Sequence, residues 1–219
     1  MEADTVAHCG ESMAGDFIWS VTFTDILTGW TENRAIWNKG ALGVISQVRD
    51  IEEKLPFELL GFDCDNGSEF LNHHLWSYFA DRKKPVQFTR SRAYKKNDNA
   101  HVEQKNWTHV RQLLGYDRFE QRQVVDLLND LYTNEYSDYQ NFFCPSVKLV
   151  EKKRMGSKYK KRYDAPQTPY QRLLTTKTLS EQKTLKLAQA FASLNPFELK
   201  KTIERKLKVI FYTNQVKSI

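Results

Sequence analysis

The chain has 219 residues, with 33 Lys and Arg against 27 Asp and Glu, and a formal net charge of +6. Its three cysteines are far apart and show no CxxC spacing, which argues against a disulfide scaffold and against a zinc knuckle. There is no signal peptide and no apolar run long enough to span a membrane, so we expect a cytoplasmic protein with no membrane partner. At this length the chain can bury one good core.

The positive charge is concentrated in two stretches that also contain tyrosines, at residues 82–96 and 152–163. Basic segments interleaved with aromatic side chains suit a polyanion such as nucleic acid. A solvated basic surface has the same composition, so charge alone leaves both interpretations open.

The first two thirds of the chain alternate between strand and helix patterns. Four apolar segments with β-branched or aromatic residues predict strands, at residues 17–25, 30–37, 59–63 and 85–89. Residues 1–8 are short and are taken as the first strand only because of the segments that follow. Four amphipathic segments predict helices, at residues 42–55, 71–81, 100–114 and 119–139. Gly115 is expected to end the third of these helices.

This order predicts an α/β protein. An antiparallel meander that feeds parallel strands through crossover helices fits a ribonuclease H-like, mixed five-stranded sheet flanked by helices. We expect an α/β core at residues 1–143, a basic extended arm at 144–170 and a helical C-terminal region at 171–219. The last two helices, at 179–194 and 197–211, are expected to form an αα-hairpin.

One carboxylate, Asp65, directly follows the predicted fourth strand, where an Asn-Gly turn ends it. The carboxyl end of a strand is where open α/β sheets place their chemistry. Asp63, two residues earlier, is expected to point to the same face. Asp before Asn-Gly is also an ordinary turn former. Asp65 is therefore a candidate functional residue only together with two partners, Asp4 in the first strand and Glu103 in a later helix.

Three carboxylates on two strands and one helix are suited to holding two Mg²⁺ or Mn²⁺ ions, because these ions prefer hard oxygen ligands and need only one or two carboxylates each. Two such ions can activate a water or a 3′-hydroxyl and stabilise the leaving oxygen of a phosphodiester. Because like charges repel, we expect the site to be weakly assembled without metal.

The segment Asp65-Asn-Gly-Ser-Glu-Phe, followed by Thr89-Arg-Ser-Arg-Ala-Tyr-Lys-Lys-Asn-Asp-Asn-Ala-His-Val-Glu103-Gln-Lys-Asn, resembles the catalytic core of retroviral integrases and of the DDE transposases of insertion sequences. The resemblance covers roughly residues 1–143. Between Asp65 and Glu103 lie 37 residues, close to the spacing for which the motif is named.

The resemblance implies that Asp65 and Glu103 are the second and third catalytic, metal-binding carboxylates. Asp4 is the candidate for the first, with Asp16 and Asp25 as alternatives. Trp107 is expected to pack in the core rather than to stack on bases. For His101, a capping or packing role stays open beside a phosphate contact. The residues expected to contact DNA are Asn66, Arg92, Lys95, Lys96, Asn99, His101 and Lys105.

The resemblance further implies DNA integration or transposition by metal-dependent phosphodiester cleavage and strand transfer, with element ends and target DNA as partners. It implies a homo-oligomer that is nucleoid-associated when bound to DNA. Transposases of this kind usually carry a helix-turn-helix before the core. Since Asp4 is so near the start, we expect a truncated copy. The alternatives are an inactive DNA-binding remnant and a ribonuclease H-like nuclease acting on RNA–DNA hybrids.

Overall fold

The structure is a computed structural model that describes residues 1–92 and 98–216. Lys95 and Lys96 lie outside these residues. The strands are β1 Glu2–Ala7, β2 Ile18–Thr24, β3 Thr31–Trp37, β4 Gly61–Cys64, β5 Gln87–Arg90, β6 Leu149–Met155 and β7 Lys158–Tyr163. The α-helices are α1 Ala41–Lys54, α2 His73–Ala80, α3 Ala100–Lys105, α4 Gln112–Leu114, α5 Val124–Leu131, α6 Pro169–Thr175, α7 Glu181–Ser193 and α8 Pro196–Gln215. Three π-helical segments continue these helices, at Asn106–Arg111, Tyr132–Tyr136 and Tyr139–Phe143.

The first five strands form one sheet in the order β3-β2-β1-β4-β5. Strands β1, β2 and β3 are an antiparallel meander, and β4 and β5 run parallel to β1. The crossover helices α1 and α2 follow β3 and β4, as parallel connections require. This strand order is the ribonuclease H-like arrangement, so the predicted α/β fold class is confirmed.

Each face of the sheet carries its own hydrophobic cluster, because alternate residues of a strand point to opposite sides. Along β2, Val21 and Phe23 pack with the residues of α1 and α2, whereas Ile18 packs with those of α4, α5 and α8. Phe62 of β4 anchors the first cluster, with its ring centroid 4.8 Å from that of Phe79. The sheet is therefore the middle layer of a three-layer core.

The helix that carries the third predicted carboxylate begins and ends close to the predicted residues. It runs from α3 through the first π-helical segment into α4. Gly115 ends it with a φ of +71°, a conformation that favours glycine. No helix within residues 1–92 and 98–216 is long and apolar enough to cross a bilayer.

The C-terminal part departs from expectation in two respects. The predicted extended arm contains a two-stranded hairpin, β6–β7. The predicted αα-hairpin of the last two helices is wrong, because each packs against a different side of the core. In α8, Ile203 and Ile210 join the cluster of α5, while Phe191 of α7 stacks on Tyr170 of α6 at 5.0 Å. Each helix packs some of its apolar residues against the core while others stay exposed, an arrangement that sequence periodicity cannot distinguish from mutual packing.

Candidate active site

Parallel pairing brings Asp4 and Asp65 to neighbouring positions at one edge of the sheet. Glu2 of β1 is paired with Asp63 of β4, and the same register two residues further on places Asp65 beside Asp4. Adjacent strands are about 4.8 Å apart. Because side chains two residues apart share a face, Glu2 and Asp4 both point to the α3 side of the sheet.

The turn after β4 is held by its own polar groups. Gly67 donates its backbone N–H to Asp65 Oδ1 at 2.9 Å, and Asn66 Nδ2 donates to the carbonyl of Ser91 at 3.1 Å. A Cβ atom at position 67 would lie 2.5 Å from Glu69 Oε2. A side chain at this position would therefore displace the buried carboxylate of Glu69, while the N–H of Gly67 holds Asp65 at the end of its strand.

Two contacts from β1 position the helix that carries Glu103. Glu2 Oε2 accepts the N–H of Val102 at 2.9 Å in the first turn of α3. Asn106 Nδ2 donates to Asp4 Oδ2 at 2.7 Å. Residues three apart on a helix lie on the same side, so the face that carries Asn106 also carries Glu103.

The charges of these residues are coupled. Burial is the main cause that raises the pKa of Asp4 to about 6, and the negative charges of Asp65 and Glu103 raise it further. The Thr5 N–H, 2.7 Å from Asp4 Oδ1, and the positive charge of Lys39 act in the opposite direction. Asp4 is thus a half-buried carboxylate whose pKa is raised by the charges of both other acids.

The donor chemistry at this edge is that of hard divalent cations, which take carboxylate oxygens and keep several waters. Among the described residues no three His, Cys, Asp or Glu side chains are arranged to hold one ion together. The three acids share an edge without meeting at one point. Two ions, each held by one or two carboxylates, do not require all three acids to meet around one ion. Their positive charge would offset the repulsion between Asp4 and the other two carboxylates.

A second layer beneath the turn consists of Glu69, Lys39 and Thr5. The Glu69 side chain is 2% exposed and pairs with Lys39 Nζ at 2.5 Å, and Thr5 Oγ1 donates to it at 3.3 Å. Thr5 directly follows Asp4, and the positive charge of Lys39 lowers the pKa of Asp4. The ion pair of Lys39 with Glu69 therefore lies next to the first carboxylate and affects its charge.

Asn99, expected to contact DNA, is buried next to the acids. The orientation of its amide that satisfies its neighbours donates Nδ2 to Ser91 Oγ at 2.7 Å and to Asp63 Oδ2 at 3.2 Å. Asp63 also accepts from Thr89 Oγ1 at 2.6 Å. The structure thus places Asn99 and Asp63 in a hydrogen-bonded cluster that joins the ends of β4 and β5.

Arg92 is exposed and pairs with Asp98 through Nε at 2.9 Å and Nη2 at 2.8 Å. These two residues flank positions 93–97, which include the expected DNA contacts Lys95 and Lys96. Those two lysines lie outside the described residues. Their DNA contacts stay predictions.

His101 and Lys105 lie apart from the three acids, where they line a cleft of about 630 Å³ with Gln104, Cys144 and Lys148. Burial is the main cause that lowers the pKa of Lys105 to about 8. Because residues two apart on a helix point in nearly opposite directions, the spacing already placed Lys105 away from the face of Glu103.

Trp107 is 51% exposed, so the expectation that it packs in the core is wrong. The two alternative first carboxylates serve turns. Asp16 Oδ1 accepts from Asn38 Nδ2 at 2.9 Å, and Asp25 Oδ2 accepts from the N–H of Thr28 at 2.7 Å. Asp4 is the member of this group beside Asp65.

Sequence reasoning missed Asn106, Glu69 and Lys39. Asn106 had a usable signal, because it follows Glu103 by three residues on a predicted helix. Glu69 lies inside the quoted Asp-Asn-Gly-Ser-Glu-Phe segment, but nothing in that pattern shows its burial. Lys39 is 30 positions earlier in a loop, and no local signal links it to the site.

No protein-family model matches the chain. A relative among curated proteins is the uncharacterized protein y4rM of Sinorhizobium fredii, 41% identical over 172 residues, which are 78% of this chain and 48% of that protein. The chain therefore spans about half the length of the curated relative it matches.

Several solved structures are similar at low identity. The catalytic core domain of BIV integrase has 15% identity and a TM-score of 0.45, covering 80% of this chain and 93% of that chain. The magnesium complex of the HTLV-2 integrase catalytic core, in its dimeric form, has 15% identity and a TM-score of 0.46, covering 66% and 87%. A simian T-cell lymphotropic virus intasome in complex with PP2A regulatory subunit B56 gamma has 12% identity and a TM-score of 0.49, covering 76% and 66%. The fold assignment rests on the strand order of this chain.

Proposed function

We propose that this chain is a metal-dependent polynucleotidyl transferase of the DDE type, which cleaves DNA and joins a 3′-hydroxyl to target DNA. The observation that carries the proposal is the hydrogen bond of Asn106 Nδ2 to Asp4 Oδ2 at 2.7 Å, which joins the helix of Glu103 to the strand that pairs with β4, just before Asp65. The negative charges of Asp65 and Glu103, which raise the pKa of Asp4, support it. The sequence resemblance assigns the same three residues, and the net charge of +6 suits a nucleic-acid partner.

In this proposal Asp4, Asp65 and Glu103 would hold two Mg²⁺ or Mn²⁺ ions. When bound, these ions would supply the Lewis acidity that activates water or a 3′-hydroxyl. The protein contributes position and charge. The Thr5 N–H and Asn106 orient Asp4, and the N–H of Gly67 orients Asp65. Asn66 and His101 are exposed and stay proposed DNA contacts, while Asn99 is proposed to position Asp63 and Asp65.

The test is a cleavage and strand-transfer assay with the full chain, Mg²⁺ or Mn²⁺, and duplexes that carry the DNA flanking its gene. Wild type is compared with Asp65→Asn, Glu103→Gln and the matched control Asp16→Asn, an acid that serves a turn away from the site. We expect joined products from wild type and the control, and at least a 100-fold loss from the two site variants, because each loses a ligand charge.

A second readout does not depend on turnover. The thermal midpoint of the wild-type protein is expected to rise with Mg²⁺ or Mn²⁺, since an ion that binds only the folded state stabilises it, and Asp65→Asn is expected to weaken that rise. Wild-type strand transfer by Asp65→Asn would overturn the proposal. DNA binding without cleavage by the wild-type chain, with either ion, would support the inactive-remnant alternative instead.

A further inference from the structure

The hairpin β6–β7 projects from the core. Its residues are exposed, except for Glu151, which is half-buried. A tight turn joins the strands, with Gly156 at a φ of +62°, which suits the first central position of a two-residue hairpin loop. At about 3.3 Å per residue, six paired residues give a ribbon about 20 Å long.

The cross-strand pairing of this ribbon puts like charges opposite each other. Lys152 is paired with Lys161, and Lys153 with Lys160. Like charges directly opposite destabilise a sheet, and a two-stranded ribbon is marginally stable by itself. The one carboxylate in the hairpin, Glu151, is shared between Lys153 at 2.9 Å and Arg162 at 3.4 Å. A negatively charged partner would relieve this repulsion.

Positive charge lies on both faces of the ribbon. Paired residues share a face and successive residues alternate. One face carries Lys153, Lys158, Lys160 and Arg162, and the other carries Lys152, Arg154 and Lys161. A flat anionic surface, such as a membrane, would engage only one of these faces. A groove with phosphates along both walls would engage both.

The root of the ribbon adjoins the helix of the proposed active site. Leu149 and Tyr163, which close the hairpin, line the 630 Å³ cleft together with His101 and Lys105 of α3. The same helix carries Glu103. The cleft and Glu103 thus lie on different faces of one helix, and the ribbon adjoins that helix from the cleft side.

We propose that the β6–β7 hairpin is a duplex-DNA-binding ribbon that enters the major groove and contacts phosphates on both sides of it. The major groove of B-DNA admits a two-stranded ribbon. The inference rests on the proposed function, for which it names double-stranded DNA as the partner and the hairpin as the element that holds it. The contacts are to phosphates, so the binding is independent of sequence.

The experiment measures binding of the full chain to a random-sequence duplex by fluorescence anisotropy over a series of salt concentrations. The test variant is Lys152→Gln, Lys153→Gln, Lys160→Gln and Lys161→Gln combined. The matched control removes four exposed charges from α7 and α8, at Lys183, Lys186, Lys201 and Lys208. Because log K falls with log salt by about 0.9 for each neutralised phosphate, we expect the loss of four lysines to reduce the slope by up to about 3.6. The control is expected to keep most of the wild-type slope.

Thermal melting separates binding from folding. The test variant is expected to melt at or above the wild-type temperature, since it loses two like-charge pairs. An equal loss of slope in both variants, or none in the test variant, would overturn the proposal. The same salt series is measured with single-stranded DNA and with RNA. A loss of salt slope that is confined to these two ligands would also overturn the proposal. Failure of the catalytic proposal can be distinguished from failure of this one. Asp65→Asn is expected to keep the wild-type salt slope of DNA binding. A wild-type chain that does not cleave DNA would keep the same salt slope of binding.

Discussion

The side-chain amide of Asn106 donates to Asp4 Oδ2 at 2.7 Å and so joins the π-helical segment after α3 to the first strand. The other carboxylate oxygen of Asp4 accepts the N–H of Thr5. Both oxygens of Asp4 are thereby oriented by neighbours. Asn106 acts through Asp4, and it is a positioning residue for the proposed site.

Asn106→Ala is expected to lower DNA cleavage by about 10–100-fold and to raise the metal concentration needed for half-maximal rate, the usual cost of losing a group that orients a ligand. The check is a metal titration of the cleavage rate, with circular dichroism to establish folding. Gln104→Ala, on the same helix and in the cleft instead, is the control. An unchanged metal requirement in Asn106→Ala would contradict the positioning role.

The free edge of β3 is covered by two asparagine amides. Asn129 accepts the N–H of Ala35 at 2.7 Å and donates to its carbonyl at 2.9 Å. Asn141 makes the same pair of bonds to Thr31, at 2.9 Å each. Each amide takes the place of a neighbouring strand, which protects an edge that would otherwise pair with another chain.

Replacing either amide leaves strand N–H and C=O groups without partners. Asn129→Ala and Asn141→Ala are each expected to lower the free energy of unfolding by about 1–3 kcal/mol, measured by urea denaturation. Asn134→Ala, which removes an exposed amide that donates to Asp130, is the control. Stabilities of the first two variants within about 0.5 kcal/mol of wild type would show that the edge needs no cover.

The ion pair of Lys39 with Glu69 is expected to be worth more to stability than exposed pairs. Lys39→Met leaves a buried carboxylate unpaired and is expected to cost about 2 kcal/mol, less than a fully buried pair because a third of Lys39 is exposed. Adding Glu69→Gln should recover part of that loss. The control is Lys84→Met, whose pair with Glu58 is exposed. A double variant no more stable than Lys39→Met would contradict this account.

Buried His8 predicts sensitivity to acid. Burial is the main cause that lowers its pKa from 6.5 to about 3, and its Nε2 is 2.7 Å from Ser20 Oγ. Between these two pH values the unfolded chain binds a proton that the folded chain does not, so stability falls as the pH falls, by up to about 1.4 kcal/mol per pH unit.

His8→Gln is expected to flatten the fall of the free energy of unfolding between pH 6.5 and about 4, measured by urea denaturation at each pH. The exposed His74→Gln serves as the control. A pH dependence that is the same in wild type and His8→Gln would assign the acid sensitivity to other groups, such as buried His109, whose pKa burial also lowers.

The sequence by itself determined the order and type of the core elements, because their apolar periods, turns and caps are local. It also located Asp65 at a strand end and Glu103 near the start of a helix. The hairpin β6–β7 was missed although Gly156-Ser157 is a turn signal, since its strands are too basic to show an apolar alternation.

Only the tertiary structure decided which distant groups meet. The parallel register of β1 and β4 brings Asp4 to Asp65 across 60 residues of chain, and the packing of α3 brings Asn106 to Asp4. The buried pair of Lys39 and Glu69 and the packing of α8 on α5 are of the same kind. Such contacts depend on the register of paired strands and on which apolar faces of the core remain for a later helix to pack against. Neither is encoded within a short stretch of sequence.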